Sequence, residues 1–368
     1  MSVPRPVVRG LSCCFAAAML IVLLAALVAP SAQARSAATK PEARLAAKVC
    51  AAAKRPTTTT KVLRRKCTTL TRRLVRQRGR APAGPVAASA SAGRLYSPSS
   101  PFNVPIGASP RVAPNSEAMV TKSLLAYTSS ANFANSDDWG IAIVDARPSD
   151  PFHLVGTFDW GFGADVIQPP VRVPDGAAPT TGSDHHLAVM DGDRELDMWA
   201  AERQADGSWM AGARTVTSST GSGISAEIGG NAAGFALAAG IIRPEEIAQG
   251  RIDHALQFTS PYVRNRFVAP AIHGDGRQAD PDAMPMGTRI QLDPATDVSG
   301  LPRVQRIIAQ AFKEYGAYLS DSSGSLAIRG EASIGRASQG GPADIWAPVG
   351  VTDPAMKTIP WERMRVVS

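Results

Sequence analysis

Beyond residue 28 this 368-residue chain has no apolar run long enough to cross a bilayer, and beyond residue 67 it has no cysteine. The first absence excludes a polytopic membrane protein, because a spanning helix needs about 18 or more apolar residues. The best later candidate, 232–242, is too short and reads as a buried segment, helical over 232–239. The second absence leaves residues 94–368 without covalent staples, yet long enough to bury a substantial core without them. No internal repeat is present, so a solenoid or propeller is excluded. No G-x-S-x-G elbow and no H-E-x-x-H are found, which argues against a serine α/β-hydrolase and a zincin. C-x-x-C spacing is missing too, so a zinc or redox thiol site has no support.

Acidic side chains are almost absent from one region. Residues 35–80 carry 15 basic groups against the single acid Glu42, whereas 81–368 carry 22 basic and 30 acidic groups. The overall +8 therefore hides a basic stalk joined to a mildly acidic domain.

Arg5 and Arg9 precede the apolar run 11–28, and Ala32-Gln33-Ala34 follows it. A basic region, an apolar core and a small-x-small site read as a secretory signal peptide over 1–34, and its removal leaves no transmembrane span. The mature chain then keeps Cys50 and Cys67, suited to one disulfide in an oxidising compartment. Residues 35–80 read as two short helices around Pro56, a basic hairpin stapled by that disulfide. Its Lys- and Arg-rich faces suit an anionic envelope polymer. They lack the aromatic interleaving expected of a nucleic-acid surface, so no nucleic-acid partner is inferred. Residues 81–93 form a Pro/Ala/Ser linker. The expected location is secreted or associated with the cell envelope.

From residue 94 the signals are mainly β. Short strands are expected at 140–146, 170–173, 186–190, 195–201, 252–258, 288–292 and 317–320, most of them bounded by Gly, Pro, Asp or Ser. Helices are fewer, near 116–127, at 232–239 and at 302–315. Strands do not alternate regularly with helices, so a doubly wound sheet is disfavoured. The G-x-G-x-x-A string from Gly221 to Ala226, with Glu245 further on, therefore carries no dinucleotide reading. A jelly-roll-type β-sandwich with a few edge helices fits the pattern best.

Four of the five histidines fall in compact polar motifs. In Ser183-Asp184-His185-His186-Leu187-Ala188-Val189, alternation sends Leu187 and Val189 to the core and puts Asp184 and His186 on the other face. A carboxylate beside an imidazole can orient a general acid or base. In Arg194-Glu195-Leu196-Asp197-Met198-Trp199, the residues Glu195, Asp197 and Trp199 share a face. Carboxylates two apart on a strand lie roughly 6–7 Å apart. That separation falls between the retaining and inverting glycosidase geometries. Trp199 offers a flat surface for a sugar ring. His254 shares its face with Ile252, Leu256 and Phe258, which equally fits a hydrogen-bonded core histidine. His273 and Asp275 are flanked by Gly274 and Gly276, which let the loop bend so that both project into one cavity. Asp321 stands at another strand end.

Together, Asp184-x-His186-Leu187, Ile252-x-His254-Ala255-Leu256, Pro270-Ala271-x-x-x-Asp275-Gly276 and Tyr315-Gly316-Ala317-Tyr318-x-x-Asp321 resemble a group of exported bacterial proteins without an assigned activity. In layout, residues 95–368 look like the jelly-roll sandwiches of glycoside hydrolases and polysaccharide lyases, a fold-level likeness. The expectation is a carbohydrate-active enzyme that needs no cofactor and acts on a polysaccharide or envelope glycan. Its acid-base residues would be Asp184, His186, Asp197, His254, His273, Asp275 and Asp321. Trp199, Arg289 and Tyr318 would contact substrate, the last two through a uronic carboxylate and its neighbouring proton if the reaction is β-elimination. A metal held by the same acids and histidines is chemically feasible but poorly spaced. The competing expectation is a non-catalytic glycan-binding envelope protein. It would show an exposed aromatic strip, for which the aromatics look too few and scattered in sequence.

Overall fold

The computed structural model describes residues 94–160, 168–351 and 356–368. The signal peptide, the basic hairpin with Cys50 and Cys67, and the linker lie outside the described residues. The described chain is mainly β, with strands gathered in several sheets and few helices.

Two sheets dominate. The larger has strand order Asn132–Ala134, Ala327–Arg329, Leu256–Ser260, Ala317–Ser322, Arg289–Leu292 and Met364–Val367. The second has the order Ala213–Ser218, Arg194–Trp199, Leu187–Asp191, Ile141–Asp145 and Glu331–Ala332. Pairing is mixed: two neighbouring pairs in each sheet run parallel. The strand order is therefore not that of an antiparallel jelly roll. Parallel neighbours need long crossovers. One of these carries the helix α3 defined below, between Leu256–Ser260 and Ala317–Ser322.

Among the described residues the α-helices are α1 (Ser116–Ser123), α2 (Pro244–Gln249), α3 (Arg303–Glu314) and α4 (Ser333–Ala337). On α3 the residues Ile307, Ile308, Ala311 and Phe312 recur at helical spacing and are buried in the main core, where Phe312 meets Trp361 edge to face. No described helix is long and apolar enough to cross a membrane.

The segment 232–239 is not helical. It runs as turns and isolated bridges, and 233–242 are buried. Buried irregular backbone must find polar partners outside itself, and the flanking side chains supply them. Asn231 caps Phe235 at both its N–H and its carbonyl. The Gln257 amide donates to the carbonyls of Ala236 and Ala239. Ala238 N–H donates to Glu195, and Ala233 N–H to the carbonyl of Ser320. An apolar composition alone could not reveal that external polar groups outcompete the i to i−4 ladder.

Leu237, Ala238 and Ile241 cover one face of the second sheet, against Ile141, Ile143 and Ala188. Its other face packs Val144, Leu187, Val189, Leu196 and Met198 onto Val155, Val171 and Trp209. The expected open face of this sheet is thus closed.

The two sheets share one piece of chain, which leaves the larger sheet after Arg329, passes Gly330 and enters the second at Glu331. Ile242 N–H donates to the Arg329 carbonyl, and Glu331 N–H donates to that of Ile242. At Gly330 a Cβ would lie 2.5 Å from the Phe133 ring. Gly330→Ala is expected to destabilise by about 1–3 kcal/mol through overpacking, measurable as a lowered urea midpoint at unchanged m-value.

Candidate functional site

Five of the expected acid-base residues meet beside this junction. Arg329 ends its strand with a buried side chain, and its Nη2 donates to Asp321 Oδ2 at 3.0 Å. Asp321 comes from Ala317–Ser322, one strand further on, which pairs in parallel with the intervening Leu256–Ser260 and sets Asp321 opposite Thr259. The next residue, Ser322, donates its hydroxyl to Asp275 Oδ2 at 2.5 Å. Asp275 belongs to the loop that also holds His273, whose Nδ1 lies 3.2 Å from the Ala232 carbonyl. Against a carbonyl that nitrogen must carry the proton, which leaves Nε2 as the ring's acceptor. Gly274 and Gly276 serve this loop by lacking a Cβ, since one would collide with Met286 or the Arg264 carbonyl. Neither adopts a left-handed backbone.

The second sheet contributes Asp184 and His186 from the turn that enters Leu187–Asp191. His186 is buried, and its Nε2 donates to the Gly230 carbonyl at 3.0 Å. Burial, aided by the Arg329 charge, lowers the imidazole to about 3, against the opposing pull of Asp184. This histidine therefore stays neutral at ordinary pH and orients its neighbours rather than exchanging protons.

Asp321 behaves in the opposite way. Burial pushes its carboxyl up to about 7; Arg329 pulls it down, and the nearby charges of Asp275 and Asp184 push it up again. A carboxylic acid poised at neutral pH suits proton transfer. Asp275 is exposed and Asp184 half-buried, so the cluster opens to solvent through them.

Four expected site residues lie elsewhere. Asp197 is fully buried beneath the 237–241 cover, beside Glu195 and the Leu237 N–H. Glu195 accepts from the Tyr96 hydroxyl at 2.5 Å and from Ala238 N–H at 2.8 Å, so both carboxyls are interior and neither faces a substrate. His254 pairs through Nε2 with Glu246 of α2 at 2.8 Å. Burial lowers this imidazole, but the Glu246 charge and hydrogen bond outweigh burial and raise it. The pair ties α2 to the strand that follows. Arg289 donates to the carbonyls of Tyr315 and Val104 and stacks on the Tyr318 ring. Tyr318 is buried among Phe102 and Phe235. These two form a separate structural cluster with no open substrate face.

Trp199 is half-buried, and aromatics distant in sequence join it. Trp160 meets it edge to face at 5.7 Å between centroids, and Phe158 stacks on Trp160 at 4.8 Å. Trp160 and Trp139 are each about half exposed, at 52% and 53%. A Cβ at Gly182, in the segment that leads into the Asp184 turn, would lie 3.2 Å from the Trp139 ring, so the two stand close. The aromatics are grouped in space, not scattered.

Arg329, Trp139 and Trp160 escaped the sequence reading. Arg329 had a legible signal: a charge inside the apolar stretch Leu326-Ala327-Ile328 must find a partner if buried. Among the described residues no group of three or more His, Asp or Glu side chains could hold a metal ion. A separate groove of about 480 Å³, beside α3 and lined by Arg306, Gln310 and Lys313, holds none of this chemistry.

No family model, curated protein or solved structure matches this chain.

Proposed function

We propose that this protein is an exported carbohydrate-active enzyme that hydrolyses glycosidic bonds of a polysaccharide with Asp321 as general acid. The observation that carries this reading is the pairing of a carboxyl poised near pH 7 with the solvent-facing carboxylate Asp275, one residue away across Ser322. Glycosidic hydrolysis needs one protonated carboxyl for the leaving oxygen and one carboxylate to activate water or attack directly. Asp275, held by Ser322, takes the second role. Arg329 fixes the Asp321 carboxyl, His186 positions the Asp184 turn, and His273 anchors the Asp275 loop to Ala232. β-Elimination is the weaker reading, because Arg289 and Tyr318 are engaged elsewhere. The exported leader and basic hairpin read from the sequence would place the enzyme outside the cell or at its envelope.

The exposed tryptophans equally favour a second reading, a glycan-binding protein without catalysis. One assay separates the two. The full chain, Asp321→Asn and Asp275→Asn are incubated with a polysaccharide panel and scored for released reducing ends. Release by wild type alone supports the enzyme. Retention on a polymer without release, unaffected by either substitution, leaves only the binding protein.

A further inference from the structure

The register of the second sheet fixes a lateral order at one of its ends. Ala213 pairs with Trp199, Met198 with Leu187, Leu187 with Ala142, and Ile141 with Glu331. The residues just outside these pairs come in the same order. Gly212, against Trp160 and Trp199, is followed by the turn carrying Asp184 and His186, then by Trp139-Gly140, then by Arg329-Gly330. Hydrogen bonds hold the turn to both neighbours: Ala200 N–H donates to the Asp184 carbonyl, and Thr181 N–H to that of Asp137. Four strand intervals of about 4.8 Å make this row roughly 19 Å long. That is room for several linked sugar rings. Exposed indoles stand on either side of the Asp184 turn, and Arg329 with Asp321 stands beyond Trp139, so a bound chain would run from the tryptophans onto the acids.

Charge narrows the ligand further. Three carboxyl groups, Asp184, Asp275 and Asp321, share the opening with one guanidinium, and Arg329 already gives an Nη to Asp321. His186 is held neutral by burial. Arg329, the guanidinium paired with Asp321, is itself buried. Along the row, residues 137–140, 182–186, 199–200 and 212 carry Asp137, Asp138 and Asp184 and no Lys or Arg, so an anionic sugar laid there would meet like charge. The flat indole faces instead match the C–H faces of an uncharged pyranose or furanose.

We infer that this strand-end row binds an internal stretch of an uncharged polysaccharide, with Trp160 and Trp199 on one side of the Asp184 turn and Trp139 on the other, between that turn and the Arg329–Asp321 pair. This rests on the site proposed above and deepens it to a substrate class. The test is binding, not turnover: affinity electrophoresis of the full-length Asp321→Asn chain through gels carrying a β-glucan, a galactomannan, an arabinan, polygalacturonate or a glucosamine oligomer. Retardation by at least one of the three uncharged polymers, and by neither charged one, is expected. Trp139→Ala and Trp160→Ala should each weaken that retention about tenfold, with unchanged melting temperature, while Lys313→Ala on α3 should not. Retention by polygalacturonate or the glucosamine oligomer, retention indifferent to both tryptophans, or no retention at all overturns the inference. If wild type is retained by an uncharged polymer but never cuts it, the hydrolase reading fails while this one stands.

Discussion

Asp321→Asn is expected to lower the cleavage rate of the full-length protein by about 10³-fold, within the range for loss of a general acid. The amide fills the same space and can still meet Arg329 through its oxygen, so melting temperature should change little. Its pH profile makes the assignment specific. With the carboxyl near 7 and needed in its protonated form, kcat/KM should fall as pH rises through about 7. Neighbours should move that alkaline limb with predictable signs. Asp275 raises the Asp321 carboxyl, so Asp275→Asn shifts what remains of the activity to a lower limb; Asp184→Asn does the same to a smaller extent. Arg329 lowers it, so Arg329→Gln shifts the limb upward. Stopped assays of initial rate from pH 5 to 9 would read all four profiles. A limb that stays at one pH in every variant would remove Asp321 from the proton-transfer role.

Much of the scaffold behind this site was legible in the sequence. The strand Leu187–Asp191 announced itself by alternation, and α3 by its apolar stripe between Pro302 and Gly316. Asp184, His186, His273, Asp275 and Asp321 were legible as polar residues at strand ends and glycine-flanked bends, where backbone geometry frees side chains for chemistry. Their convergence was not, because it depends on the crossing at Gly330 that brings the two sheets together. Alternation also gave Glu195, Asp197 and Trp199 one shared face and implied one shared fate. The 237–241 segment ends over Glu195 and Asp197 and leaves Trp199 at the rim. Periodicity reports which residues share a face; what lies over that face is a long-range fact. The aromatic row fails to read for the same reason, since long-range packing sets Trp160 against Trp199 and strand order sets Trp139 beyond the Asp184 turn.

The buried carboxyls make the second large prediction, an asymmetry between two residues of nearly the same chemistry. Glu195 is an acceptor surrounded by donors: the Tyr96 hydroxyl and Ala238 N–H bond its two oxygens, and the Asp197 carboxyl faces it. Glu195→Gln replaces one acceptor by an amine, leaves a buried donor without a partner, and should cost about 2 kcal/mol. Asp197 differs. Burial first, and then the Glu195 charge, raise its carboxyl well above the ordinary value, so folding favours its protonated form. Asp197→Asn preserves a donor toward Glu195 and removes the need to take up a proton on folding. Linkage supplies the sign. Above the unfolded value near 4 the folded state holds a proton that the unfolded state has lost. Asp197 therefore makes stability fall as pH rises, by up to about 1.4 kcal/mol per pH unit, until the folded value is reached. Urea unfolding at pH 4.5, 6 and 7.5 should show Asp197→Asn gaining on wild type as pH rises above the unfolded value, while Glu195→Gln is weaker throughout. Equal losses in both variants, or an Asp197→Asn curve parallel to wild type, would mean that the two carboxyls do not divide the roles of acceptor and buried acid between them.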